Sequence, residues 1–217
     1  MAQMFCGDEV PAVVVDMGSF NMKLGNGGEA APKHVYRSSV GRSDECMYYG
    51  DCGLRVLKEM EVENVIDMHD SGQHVNSLTS EINWDNLDGL LQYGLKSVVH
   101  GGSAVAHCSS SRVGKSASEG ISSMNVDDAT SSFPVNIPDV DQELSKHSLF
   151  FTESHFDTLQ KKQKLVELCF EQYNTPGLFI APNAVLAGIS MCKPTALVID
   201  IGASGTSLSP IVDGYAL

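Results

Sequence analysis

The sequence has no long apolar run. Although 42% of its 217 residues are hydrophobic, the longest unbroken apolar stretches, such as 12–15 and 196–199, are far shorter than the roughly 20 residues that a membrane-spanning helix needs. The N-terminal segment also lacks the basic region and apolar run of a signal peptide. We therefore expect a soluble intracellular protein with no membrane partner.

Paired cysteine motifs and basic residues are scarce as well. None of the six cysteines forms a C-x-x-C pair, which argues against a disulfide framework. Against 27 acidic residues there are only 14 basic ones, and the net charge is -13. Such a chain repels phosphate backbones. Direct nucleic-acid binding is disfavoured, and a basic protein partner is favoured.

The sequence does contain an alternation of strands and helices. The apolar run 11–17 predicts a buried strand, and the alternating pattern over 20–24 predicts its hairpin partner. Apolar residues from Trp84 to Val98 recur at helical spacing, and Asn83 suits the start of that helix.

The order of elements in the last third of the chain predicts parallel β-α-β units. They comprise a strand over 148–152, a helix over 155–173, a strand over 177–181, a helix over 183–191 and a strand over 195–201. Pro182 is placed at the first turn of the second helix. The first helix places four side chains near one face: Leu159, Val166, Cys169 and Tyr173.

The segment from 101 to about 141 differs in composition. It is rich in Ser, Gly, Ala and Asp and has almost no apolar periodicity. Such a segment cannot bury enough surface to offset its ordering entropy. We expect a disordered insertion, and its serines invite phosphorylation.

The most informative feature is a repeated strand and turn. Residues 13–19, VVVDMGS, return at 197–204 as LVIDIGAS. Each copy predicts a buried strand that ends in Asp, a Gly/Ser turn and a second extended segment. One copy alone is a common strand-to-turn sequence, whereas two copies at the ends of Val/Ile-rich strands favour a function.

The two predicted turns are suited to binding phosphate. Gly/Ser hairpins present backbone N–H groups and hydroxyls to phosphate oxygens. Asp16 and Asp200, at the strand ends, can hold a hydrated Mg²⁺ through its waters, and Lys23 can reach a phosphate as a point charge. Two such hairpins would clamp a nucleotide between two halves of a molecule. The candidate nucleotide-binding residues are Asp16, Gly18, Ser19, Phe20, Lys23, Asp200, Gly202, Ser204, Gly205 and Thr206.

These paired hairpins resemble the phosphate loops of the superfamily that contains actin, the heat-shock ATPase chaperones and the sugar kinases. Further motifs, all in order, are similar to actin: APKHVY at 31–36, SVG at 39–41, NWD at 83–85, FTE at 151–153, FEQYNTP at 170–176, AVL at 184–186 and DGYAL at 213–217. Two others, GDEV at 7–10 and GSF at 18–20, are similar to the nuclear actin-related proteins of chromatin remodellers and histone acetyltransferase complexes. SPIVDG at 209–214 is similar to plant-type members of that subfamily.

The resemblance implies an α/β fold of the actin-like ATPase, or ribonuclease H-like, type. A first domain would occupy 1–192, interrupted by the insertion, and 193–217 would begin a second domain whose remainder is missing. Whether the chain is a fragment or a natural truncation stays open.

Several residues depart from the actin pattern. Phe20 stands where actin has a phosphate-loop glycine, and Asn183 stands where actin has the glutamine that orients the attacking water. Ala203 replaces an aspartate of the second loop, and Ser207 replaces a histidine near the same water. The resemblance therefore implies weak binding of ATP or ADP with Mg²⁺ at most, and no catalytic residues.

The resemblance also implies partners and a location. We expect a non-catalytic subunit in the nucleus, with the cytoplasm as a second location, that pairs with nuclear actin on a helix of a remodeller's motor subunit and contacts histones. The alternatives are a nucleotide-hydrolysing ATPase of the same superfamily and a cytoskeletal actin-like protein. The short segment between Gly41 and Tyr48 disfavours the cytoskeletal protein, since actin subunits engage one another through a long loop there.

Overall fold

The computed structural model describes residues 12–42, 47–50, 61–70, 78–99, 144–155 and 157–217. The predicted insertion at 101–141, the GDEV motif at 7–10 and residues 43–46 of the short loop lie outside these ranges.

The described chain contains thirteen strands and three helices. The strands are β1 (Val13–Met17), β2 (Asn21–Asn26), β3 (His34–Arg37), β4 (Ser39–Arg42), β5 (Met47–Tyr49), β6 (Glu61–Asn64), β7 (Ile66–Asp70), β8 (Leu78–Ile82), β9 (Leu149–Glu153), β10 (Leu178–Pro182), β11 (Ala196–Ile201), β12 (Thr206–Val212) and β13 (Tyr215–Ala216). The helices are α1 (Trp84–Val99), α2 (Leu159–Glu167), which continues into a π-helical turn (Leu168–Gln172), and α3 (Asn183–Ser190).

A five-stranded sheet in the order β10-β9-β1-β2-β3 forms the centre of the fold. Strand β1 is antiparallel to β2 and parallel to β9, which is in turn parallel to β10. The predicted hairpin and the first predicted β-α-β unit are thereby confirmed. Two smaller antiparallel sheets, β5-β4-β6 and β7-β8, are formed by the chain between β3 and α1.

Helix α1 covers one face of this sheet and supplies much of the core. Asn83 caps it as predicted, since its Oδ1 accepts the backbone N–H of Asn86 at 3.2 Å. Apolar side chains at helical spacing are fully buried: Leu87, Leu90, Leu91 and Leu95. The buried Tyr36 hydroxyl of β3 donates to the Leu90 carbonyl at 2.9 Å, which joins helix and sheet, and burial raises the pKa of Tyr36. No described helix has both the length and the apolar character needed to cross a membrane.

Helix α2 starts later than predicted and buries a different stripe. The backbone N–H of Ser154 donates to Asp157 at 2.8 Å, and this turn delays the helix to Leu159. Leu159 and Val166 are exposed, so their predicted place beside Cys169 and Tyr173 is wrong. The buried stripe has a four-residue spacing instead: Leu165, Cys169 and Tyr173.

The last three strands form a sheet of their own, in the order β11-β12-β13. The second predicted parallel unit is therefore wrong, because β11 pairs antiparallel with β12 and not with β10. The predicted burial of β11 is also wrong. Leu197, Ile199 and Ile201 are 57 to 80% exposed, since α3 packs on the opposite face of this sheet, where Ile211 is buried. Pro182 ends β10 and is the N-cap residue of α3, so it directly precedes the helix and does not lie in its first turn as predicted.

Candidate functional site

The two copies of the sequence repeat line one cleft. Its volume is about 520 Å³, and its walls include residues of both β1-β2 and β11-β12 turns. Nine of the ten predicted nucleotide-binding residues lie on it: Asp16, Gly18, Ser19, Phe20, Lys23, Asp200, Gly202, Ser204 and Gly205. Thr206 is not among the lining residues, and it opens β12 opposite Ile201. The repeat in sequence thus corresponds to a pair of turns in space.

Asp16 is fixed at the cleft by two partners. Asp16 and Lys23 face each other across the β1-β2 ladder, and the Lys23 Nζ donates to the Asp16 Oδ2 at 2.9 Å. The Thr152 hydroxyl of β9 donates to the other oxygen at 2.6 Å. Because the ion pair is partly exposed, solvent screens it and it contributes little to stability. An anion in the cleft would compete with Asp16 for Lys23.

Asp200, the equivalent carboxylate of the second copy, has a different partner. The Asn183 side-chain amide, at the start of α3, donates to the Asp200 Oδ2 at 3.2 Å. The amide is therefore engaged with the carboxylate. Nearby, Ala203 lines the cleft with no polar side chain, and the buried Ser207 stands opposite Asp200 in the β11-β12 ladder.

The first turn is tight, and β3 and β4 hold it from outside. A Cβ on Gly18 would lie 2.6 Å from the Asn21 carbonyl oxygen, so glycine is required there. The buried Ser38, between β3 and β4, donates from its hydroxyl to the Gly18 carbonyl at 2.5 Å. The half-exposed ring of Phe20 is covered by the guanidinium of Arg37, which lies 3.7 Å from the ring centroid. Such cation–π contacts stabilise the ring's position.

Sequence reasoning missed several polar residues of the cleft wall, among them Ser80, Thr152 and Asp157. The Asp157 Oδ1 accepts hydrogen bonds from Ser80 at 3.3 Å and from Lys161 at 3.4 Å. Burial lowers the pKa of Lys161, and the neighbouring Asp157 opposes this shift. Thr152 could have been found, because β9 was predicted as a parallel strand and the carboxyl ends of parallel strands meet at one edge of a sheet.

The donor set fits the phosphates of a nucleotide with a hydrated divalent cation. The cleft offers a tight glycine turn, the Lys23 ammonium and the carboxylates of Asp16 and Asp200. In the described ranges, no three His, Cys, Asp or Glu side chains converge as a metal-binding group. A cation here would keep most of its waters, as Mg²⁺ prefers.

Comparison with known proteins agrees with this fold. The model of the actin family matches residues 7–217. The chain therefore belongs to the actin family, whose members generally bind a nucleotide with Mg²⁺. The predicted family and the predicted actin-like α/β fold are confirmed.

Among curated proteins the chain is similar to several called actin-related protein 4. It is 29% identical to that of Arabidopsis thaliana, over 99% of this chain and 44% of the relative. It is 26% identical to that of Emericella nidulans, over 97% of the chain and 42% of the relative. It is 28% identical to that of Oryza sativa subsp. indica, over 99% of this chain and 45% of the relative. The chain thus spans less than half the length of these relatives.

Proposed function

We propose that this actin-family chain is a non-catalytic subunit of nuclear chromatin-remodelling or histone acetyltransferase complexes, and that its cleft binds ATP or ADP with Mg²⁺ weakly. The observation that carries the proposal is the hydrogen bond from Asn183 to Asp200 at 3.2 Å. It engages the amide that stands at the water-orienting position of the actin pattern. With its NH2 group held by Asp200 and one methylene fewer than glutamine, the Asn183 side chain would orient a water beside a bound phosphate poorly.

Two of the described cleft carboxylates are also poorly available as a general base for that water, because their oxygens are already hydrogen-bonded. A base must reach the water with a free acceptor oxygen. Asp16 is bonded to Lys23 and Thr152, while Asp157 is bonded to Ser80 and to the Ser154 N–H. Ala203 and Ser207 supply neither the carboxylate nor the imidazole of the actin pattern. The cleft therefore supports binding better than hydrolysis.

Binding would use the residues of both turns. The N–H groups of the Gly18–Phe20 turn and the Lys23 ammonium would hold phosphate oxygens, and Asp16 with Asp200 would hold Mg²⁺ through its waters. When bound, Mg²⁺ neutralises phosphate charge. To bind a phosphate, the Lys23 ammonium must give up its ion pair with Asp16. The loss of this pair offsets part of the free energy of phosphate binding and favours a weak affinity.

Calorimetry with MgATP and a phosphate-release assay test the nucleotide part. We expect a dissociation constant of roughly 10–1000 µM and no turnover above the level of an Asp200→Ala control. The triple variant Asn183→Gln, Ala203→Asp, Ser207→His should raise turnover by about a hundredfold, the low end of general acid–base contributions. The same variant carrying Asp200→Ala should lose that gain. Turnover by the parent chain that Asp200→Ala abolishes would show that it is an enzyme.

The nuclear part of the proposal rests on the subfamily motifs and on charge. The GSF turn is similar to nuclear actin-related proteins, and a net charge of -13 suits basic partners such as histones. The proposed partners are nuclear actin, a helix of a remodeller motor subunit and histones.

Affinity purification of the tagged chain from nuclear extract tests the partners. Remodeller or acetyltransferase subunits and nuclear actin should co-purify, and histone binding should weaken as salt rises. A tagged acidic protein of similar net charge is the control for non-specific attraction to histones. Recovery of none of these subunits, or equal recovery with the control, contradicts the nuclear assignment.

A further inference from the structure

Ser38 is the one residue between β3 of the central sheet and β4 of the outer sheet. It is fully buried, although it is polar. Its hydroxyl donates to the Gly18 carbonyl at 2.5 Å, and its backbone N–H donates to the Phe20 carbonyl at 3.0 Å. Two carbonyl groups of the first turn are therefore bonded to a single residue outside the cleft.

The direction of these carbonyls matters for an anion. Carbonyl oxygens repel phosphate oxygens, whereas successive N–H groups of a turn form a concavity that attracts them. Ser38 does not line the cleft, whereas Ser19 and Phe20 do. Within the described residues no backbone acceptor is found for the N–H groups of Ser19 and Phe20.

Ser38 is itself held in place. Its carbonyl accepts the N–H of Val65 at 3.0 Å, so all three of its polar groups have partners. The turn that Ser38 contacts is tightly packed, because a Cβ on Gly18 would lie 2.6 Å from the Asn21 carbonyl oxygen. A small rotation of the turn would therefore need Ser38 to move as well.

We propose that Ser38 is a positioning residue for the phosphate-binding turn. It holds the Gly18 and Phe20 carbonyls on the outer side, so that the N–H groups of Ser19 and Phe20 can donate to phosphate oxygens. This role rests on the proposed nucleotide binding, and it assigns the substrate contact to the phosphates and not to the base or sugar. Ser38→Thr keeps a hydroxyl at the same position, and Ser38→Ala removes it.

The test measures the binding of MgATP and of tripolyphosphate with Mg²⁺ to the full chain by calorimetry. Ser38→Ala should weaken both ligands by the same factor, about tenfold for one lost hydrogen bond that orients the turn. Ser38→Thr should restore most of the affinity. Ser39→Ala is the matched control and should leave both affinities unchanged, because the hydroxyl of the partly buried Ser39 donates to Asn64 at 3.0 Å and not to the turn.

A second control separates positioning from general destabilisation. Tyr173→Phe removes a hydroxyl that donates to Asp88 at 2.6 Å, outside the cleft lining, and should lower thermal stability without changing phosphate affinity. If the parent chain binds both ligands and Ser38→Ala binds them as tightly, the role of Ser38 is wrong while the proposed nucleotide binding stands. Equal losses of phosphate affinity in Ser38→Ala and Tyr173→Phe would also overturn it. If the parent chain binds neither ligand, the nucleotide proposal falls and this role falls with it.

Discussion

Two cysteines of the described chain differ sharply in environment. Cys169 is fully buried within the π-helical turn, and burial raises the pKa of its thiol to about 12. Cys192 is exposed just after α3. Because only the thiolate attacks an alkylating reagent, the two thiols should report directly on the packing of α2 against the core.

Iodoacetamide at pH 9 tests this difference in one sample. Cys192 should react, while Cys169 should react roughly a thousandfold more slowly, from its lower thiolate fraction and lack of access. Peptide mass spectrometry resolves the two sites, and the denatured chain, in which both react alike, is the control. Labelling of Cys169 as fast as Cys192 in the native chain would show that the α2 packing is wrong.

The same pKa fixes the sign of a pH effect on stability. The unfolded thiol ionises near its ordinary value of 9.0, whereas the folded thiol ionises near 12. The unfolded state therefore binds fewer protons between these values. The contribution of Cys169 to stability is complete below about pH 9 and is lost as pH rises toward 12.

At the residue scale, sequence reasoning found the carboxylates of the cleft but not their partners. Asp16 and Asp200 could be predicted because each ends one copy of a repeat. Thr152 lies 136 residues from Asp16, and the link depends on β9 lying beside β1. The bond from Asn183 to Asp200 depends on how α3 meets β11. Both contacts arise from tertiary packing, which a local pattern does not encode.

At the scale of elements, the start of α1 is bonded to its own first turn and to Val65, which lies between β6 and β7. The Asn83 side chain accepts the Asn86 N–H at 3.2 Å, and its backbone N–H donates to the Val65 carbonyl at 3.0 Å. The helix that begins here buries four leucines against the sheet. The cap should therefore contribute measurably to the stability of the whole domain.

Asn83→Ala should lower the free energy of unfolding by about 1 kcal/mol, a typical loss for an N-cap residue. Asn83→Asp and Asn83→Ser should restore most of it, because both side chains accept the same hydrogen bond. Asn64→Ala, at an exposed position on β6, is the matched control and should stay within about 0.5 kcal/mol. Denaturant unfolding followed by circular dichroism measures all four variants. A loss at Asn83 no larger than at Asn64 would show that the cap has no energetic role.

The elements themselves were predictable where a strong local signal existed. The cap and apolar spacing of α1 predicted its bounds closely, and the Val-rich run predicted β1. The pattern of β11 is equally apolar, yet a strand's own pattern does not specify its neighbours, and β11 pairs with β12 in another sheet. The start of α2 was misplaced because the Asp157 side chain bonds the Ser154 N–H, a turn that apolar spacing does not show.

At the scale of the whole molecule, the sheet β11-β12-β13 exposes an apolar face. Its six large side chains are 43 to 80% exposed: Leu197, Ile199, Ile201, Leu208, Val212 and Tyr215. Strand β11 is also an edge of this sheet. An exposed apolar edge strand favours self-association.

The double variant Leu208→Lys, Tyr215→Lys should reduce this association. Light scattering of the purified chain should show smaller particles, and an apolar dye should bind more weakly, with the unfolding midpoint little changed. Phe170→Lys, which replaces a half-exposed aromatic residue away from this sheet, is the control. Association that persists unchanged in the double variant would mean that another surface is responsible.

The backbone hydrogen bonds around Ser38 affect the rate at which the first turn could bind an anion. Ser38 donates to Phe20, Val65 donates to Ser38, and Asn83 donates to Val65, at 3.0 Å each. This ladder ties the first turn to the cap of α1, so the turn opens with the core and not as a separate surface loop. An arriving anion would meet a turn that is already ordered. Anion binding would cost little conformational entropy and would need no slow rearrangement of the turn. A weak affinity here would therefore reflect a fast dissociation rate and not a slow association rate.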